Sequence, residues 1–94
     1  MSRYYFFNGF KVKIHNSNLT IQVNKAIAEN FLSRCAIEHA EKDGENLFFD
    51  SEAAALVAFE IKKIQKMFEQ LYHVDLKRYI IGKFPAYSQI MGMG

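Results

Sequence analysis

Arg3-Tyr4-Tyr5-Phe6-Phe7-Asn8-Gly9-Phe10-Lys11-Val12-Lys13-Ile14-His15 is the stretch on which the reading of the fold turns. Asn-Gly supplies two consecutive residues that tolerate positive φ, which a two-residue type I′ hairpin turn requires. Behind it, Phe10 to His15 alternates apolar and polar without a break. Ahead of it, Arg3 to Phe7 is rich in aromatic residues that favour strands. A two-residue turn pairs Phe7 with Phe10, Tyr5 with Val12 and Arg3 with Ile14 and puts those pairs on one face, expected to be the core face. The other face then carries Tyr4, Phe6, Lys11, Lys13 and His15.

The next strand runs from Leu19 to Val23, with Leu19, Ile21 and Val23 on one side and Thr20 and Gln22 on the other. A three-residue loop, 16–18, would set Leu19 beside His15 and Ile21 beside Lys13. A two-residue loop (Ser17-Asn18) or a four-residue one (His15 to Asn18) sets the apolar residues with Val12 and Ile14. Register follows the buried face, so an even loop or a compensating bulge is expected. The first 23 residues then form a three-stranded antiparallel meander.

Working outward from the meander, Asn24 suits the N-cap of a helix over 25–42. Ile27, Ala28, Phe31, Leu32, Cys35 and His39 share one arc of its wheel. Asp43-Gly44 reads as the stop of that helix. Leu47-Phe48-Phe49 reads as a short strand, and Asp50 or Ser51 caps a second helix from Glu52 into the low seventies. Its stripe is Ala54, Val57, Ile61, Ile64, Phe68 and Leu71, spaced 3-4-3-4-3. Arg78-Tyr79-Ile80-Ile81 is a candidate last strand closed by Gly82, and Pro85 discourages regular structure after it. The expectation is an α+β fold: the meander, then helix, short strand, long helix and a candidate last strand, with the helices packed on one face of the sheet. Residues 1–84 form the domain, and residues 85–94 a loosely held tail.

Ninety-four residues, 50% of them hydrophobic and 15% aromatic, suit one packed domain rather than a disordered chain. Cys35 is the only cysteine, so no internal disulfide can form, which suits a reducing, cytoplasmic setting. The short aromatic run after Arg3 is too brief for a secretory core, and no run approaches the ~18 apolar residues of a membrane span. The net charge of +2 is unevenly spread. Residues 1–25 are basic, 26–59 acidic and 60–94 basic. That is an asymmetry rather than a polybasic tail. Nine Lys against three Arg, with plentiful Phe, Ile, Asn and Tyr, is compatible with an AT-rich genome, such as that of a virus or a bacterial host.

Candidate sites follow from this layout. Cys35 and His39 lie four apart on one helical face, as a nucleophile–base pair or half a metal site would need. Neither a third catalytic group nor further ligands accompany them, and a cysteine in an apolar stripe serves as a small hydrophobe. Asp50, Ser51 and Glu52 read as caps of the second helix rather than as catalytic groups. No Gly-rich phosphate loop precedes either helix. No metal site and no cofactor are expected.

Two surfaces remain. Tyr4, Phe6, Lys11 and Lys13 interleave rings and ammonium groups on the outer sheet face, as binders of single-stranded nucleic acid do. Such a face also suits another protein, or would be core if a further element covered it. The second helix offers Leu56, Phe59 and Met67 with the stem of Lys63, away from its main stripe, as an interface for a homodimer or a larger partner. The leading expectation is a small non-enzymatic module acting through protein–protein contacts, of regulatory, adaptor or inhibitor type. A single-stranded nucleic-acid binder is the alternative, and an enzyme comes third. The order of elements is shared by many unrelated domains, and a fold alone does not give function.

Overall fold

Asn8 and Gly9 both take positive φ, 47° and 91°, and close the hairpin of β1 (Ser2–Phe7) and β2 (Phe10–His15) in a computed structural model that describes residues 1–93. Phe7 pairs with Phe10, Tyr5 with Val12 and Arg3 with Ile14, the register expected from the sequence. A Cβ on Gly9 would come within 2.7 Å of the movable Cδ1 end of Ile27, and the φ of 91° is what calls for glycine here. The second turn is Asn16-Ser17, also at positive φ, 48° and 64°. It sets Ile14 against Leu19 in β3 (Asn18–Asn24), the pairing of the four-residue alternative, with His15 and Asn18 extending the ladder. Phe10, Val12, Ile14, Leu19, Ile21 and Val23 thereby share one buried face.

Beyond β3 the architecture departs from the expected order at several points. Asn24 caps α1 (Lys25–Phe31) by accepting the Ala26 amide at 2.8 Å, as expected. The helix nevertheless ends at Phe31, and a separate turn, α2 (Arg34–Ile37), follows from the Ser33 cap. Residues 41–43 are not helical. They form β4 (Glu41–Asp43), which turns through Gly44-Glu45 into β5 (Asn46–Asp50). Asp43-Gly44 is thus the end of β4 and the start of a hairpin turn rather than a helix stop, with Gly44 at φ 61°. β5 pairs antiparallel with β3, giving a five-stranded sheet in the order β1-β2-β3-β5-β4. Its two edges differ: β1 has six residues with Arg3 as its only charge, whereas β4 is three exposed charged residues.

The expected long second helix is two helices, α3 (Ser51–Glu60) and α4 (Lys62–Tyr72), broken at Ile61 with φ −122° and ψ 106°. No Gly or Pro marks the break. The break falls where the burial changes: in α3, Ala54 to Ala58 are all fully buried, whereas in α4 only Ile64 and Phe68 are buried. Residues 78–81 are helix, not strand, within α5 (Leu76–Lys83), where Asp75 caps the start and Leu76 and Ile80 are buried one turn apart. Pro85 opens α6 (Pro85–Ile90), where its fixed φ and missing N–H suit the first turn. The segment expected as a loose tail therefore contains a helix, with Tyr87 and Ser88 buried.

The result is an α+β fold with six helices packed against an antiparallel sheet. α3 lies on β3 and β5, and α4, α5 and α2 pack around α3 in turn. Phe10, Phe49 and Phe68 are the largest fully buried side chains of a single contiguous core. No helix among the described residues is long and apolar enough to cross a membrane.

Candidate functional site: the open face of the sheet

Register places the outward-facing side chains in rows across the strands. One row runs Phe6, Lys11, Gln22, Phe48, Glu41 from β1 to β4. The next runs Tyr4, Lys13, Thr20, Asp50. Tyr4 is 47% and Phe6 70% exposed, and the face carries an open depression lined by Tyr4, Lys11, Lys13, Thr20, Gln22 and Phe48, among others. Lys11 Nζ sits 5.0 Å from the centre of the Tyr4 ring, which holds the ammonium group by its attraction to the ring face. The structure thus brings Tyr4, Phe6, Lys11 and Lys13 together and leaves them uncovered, so the possibility that these aromatics are core does not hold. Sequence reasoning missed the other half of the face, Phe48, Asp50 and Glu41. Its strand-like sequence at Leu47-Phe48-Phe49 was legible, but the partnership of β5 with β3 is a long-range pairing.

The electrostatics of the face follow from the rows. Its β1–β2 side carries Lys11 and Lys13, and its β5–β4 side carries Asp50 and Glu41. None of these four has an ion-pair partner among the described residues. The two halves are opposite in sign, and Asp43, two residues along β4 from Glu41 and on the same face, adds a third carboxylate to the acidic side.

The helical patch is not assembled as expected. Leu56 is fully buried and belongs to the core, because α3 is enclosed on every side. Phe59 is half-buried, edge-to-face with Tyr87 at 6.5 Å between ring centres. Met67 is half-buried and packs against the core, while Lys63 is exposed with Nζ 5.7 Å from the Phe7 ring. The four residues therefore do not share one open surface.

Cys35 is half-buried in α2 and packs against the core, and His39, just past the end of α2, is exposed with its ring 5.2 Å from Phe84. No group of three or more potential metal ligands occurs among the described residues. Asp50 caps α3 by position without a side-chain bond, and Glu52 pairs with Lys83 at 3.6 Å.

A polar node with no sequence signal lies beneath α6. The Glu60 carboxylate accepts hydrogen bonds from the Ser33 amide (2.7 Å), the Ser33 hydroxyl (2.6 Å) and the Tyr87 hydroxyl. It ties α2, α3 and α6 together. Burial, with the neighbouring Glu60 carboxylate, pushes the Tyr87 hydroxyl pKa well above the usual tyrosine range. Burial also raises that of Tyr79, helped by Glu52.

The sign of the pH effect follows. These tyrosines stay neutral in the folded chain where the unfolded chain would ionise them, near pH 10. Their contribution to stability is present below that pH and lost above it. The urea midpoint is expected to fall as pH rises from 9 to 11, and to fall less steeply in Tyr87→Phe. Equal slopes in the two proteins would show that Tyr87 does not titrate in this way.

Compared with protein-family models, with curated proteins and with solved structures, the chain matches none of them.

Proposed function

We propose that the chain is a non-enzymatic protein-binding module that works through the open face of its sheet. The observation that carries this reading is the exposure of Tyr4 and Phe6 on a face that no element of the fold covers. Exposed aromatics favour protein contact, because rings supply apolar area at little entropic cost, while charges of both signs around them can set the register. The acidic half of the face, Asp50 and Glu41, argues against a phosphate backbone, which would be repelled along half its path. A regulatory, adaptor or inhibitor role in a reducing, cytoplasmic setting fits such a module and its free Cys35.

A photo-crosslinking residue at position 6, with one at position 77 as control, tests the reading in cells that produce the protein. Lys77 is exposed on α5, among the helices rather than on the sheet. Protein adducts are expected from position 6 and not from position 77. Adducts only to nucleic acid, or none, would overturn the reading. The second reading, single-stranded nucleic acid stacked on Tyr4 and Phe6, rests on the Lys11–Tyr4 arrangement. It requires salt-sensitive anisotropy of a labelled oligonucleotide at low salt, where we expect none.

A further inference from the structure

We propose that the partner of the open face is a second copy of this chain, docked face to face about a twofold axis that runs along β3. The proposal rests on the protein-binding reading above and adds the identity of the partner. It comes from the order of charges across the rows.

Two stacked sheets lie about 10 Å apart, with their strands within roughly 30° of each other. Two twofold arrangements bring equivalent faces together. An axis across the strands lays β2 over β2 and confronts Lys11 and Lys13 with Lys11 and Lys13 of the second copy. An axis along β3, the middle strand, exchanges left and right instead. It lays β2 over the second copy's β5 and β1 over the second copy's β4.

In that arrangement the rows stay in step. Lys13 and Asp50 share a row on opposite sides of β3, as do Lys11 and Phe48. Lys13 therefore faces the second copy's Asp50, and Lys11 faces the second copy's Phe48. Each contact occurs twice by symmetry. Gln22 meets Gln22 and Thr20 meets Thr20 near the axis, where hydroxyl and amide groups can serve each other as donor and acceptor. Within one chain these charges are not paired: the register puts β3 between Lys13 and Asp50, and no ion pair joins them. The lysine and aspartate charges are thus complementary in this orientation, with Phe6 lying over the second copy's Glu41, and the lysines repel one another in the other.

Sedimentation of the wild type over a concentration series, with charge exchange, is the test. The wild type is expected to form dimers. Lys13→Asp and Asp50→Lys are each expected to weaken the dimer by about tenfold or more, since both symmetric contacts are lost at once. The double variant Lys13→Asp/Asp50→Lys is expected to recover most of the affinity, because the twofold axis restores each pair with the charges exchanged. Both positions face solvent in the single chain, and circular dichroism checks folding.

A second measurement needs no variant. Zero-length carbodiimide cross-linking of mixed isotope-labelled and unlabelled wild type is expected to join Lys13 to Asp50 between copies. A monomer at high concentration overturns the proposal. So does a dimer indifferent to the single changes, or one without the cross-link, or a double variant as weak as the singles. A monomeric wild type whose position 6 still cross-links to a different protein would sink this proposal and leave the protein-binding reading standing. A monomer with no protein adduct would remove both.

Discussion

Glu60→Ala is expected to lower the stability of the protein by about 3 kcal/mol, and to free α6 from the rest of the fold. Three donors converge on the Glu60 carboxylate: the Ser33 amide, the Ser33 hydroxyl and the Tyr87 hydroxyl. Leaving a buried donor unpaired costs about 1–3 kcal/mol each. The site is only partly buried, so water can reach some of these groups and the low end of that range applies. The loss falls unevenly. Ser33 still caps α2 by accepting the Ala36 amide at 3.1 Å, whereas the Tyr87 hydroxyl has no other hydrogen bond among the described residues. Tyr87→Phe should therefore cost less, about 1 kcal/mol, since it removes one donor and leaves the carboxylate its other two. Urea denaturation gives the stabilities, and amide exchange over 85–90 reports whether α6 opens first. A Glu60→Ala protein as stable as the wild type, with α6 still protected, would show that the node does not hold the helix.

Leu56→Ala is expected to cost about 2–5 kcal/mol, the range for removing a large aliphatic side chain from a core. Leu56 is fully buried in a helix that has the sheet on one side and other helices around it. Were Leu56 on an exposed interface, the same change would leave the isolated chain within about 0.5 kcal/mol of wild type. The two outcomes are far enough apart for a single denaturation curve to separate them. A change within that smaller range would mean that α3 presents this side to solvent.

The contrast at Leu56 explains which parts of the fold could be read in advance. The hairpins were legible because their signals are local: two residues that accept positive φ, flanked by strict alternation. A period of two assigns every side chain to a face, so Tyr4, Phe6, Lys11 and Lys13 could be placed together from parity alone. Helical periodicity was a poorer guide. Ala54 to Ala58 is a continuous apolar run, and an enclosed helix has no polar side from which to tell inward from outward. The stripe that joined Ala54 to Leu71 ran through Ile61 without interruption, so it carried no trace of the break.

Tyr79-Ile80-Ile81 resembles a strand in composition, yet the Asp75 cap and the four-residue step from Leu76 to Ile80 suit a helix, which is what forms. Glu41-Lys42-Asp43 has no strand character of its own. It extends because β5 offers a ladder beside it, a contact that no local pattern announces. The same holds for the acidic half of the open face, which exists only once β5 has paired with β3. Pro85 was legible as a helix breaker, but it equally suits a first turn, and the buried Tyr87 that makes α6 worthwhile is two residues further on.

The unequal edges of the sheet limit how this protein could polymerise. Strand addition needs an uncovered row of backbone groups at each end of the growing sheet. β1 offers six residues with neither proline nor a carboxylate among them, the kind of edge on which further strands add readily. β4 offers only Glu41, Lys42 and Asp43, all exposed, and a short, charged edge resists extension. A chain joined to another through β1 has therefore used its one permissive edge. Growth by that route ends in a closed pair of sheets and cannot continue into a fibre.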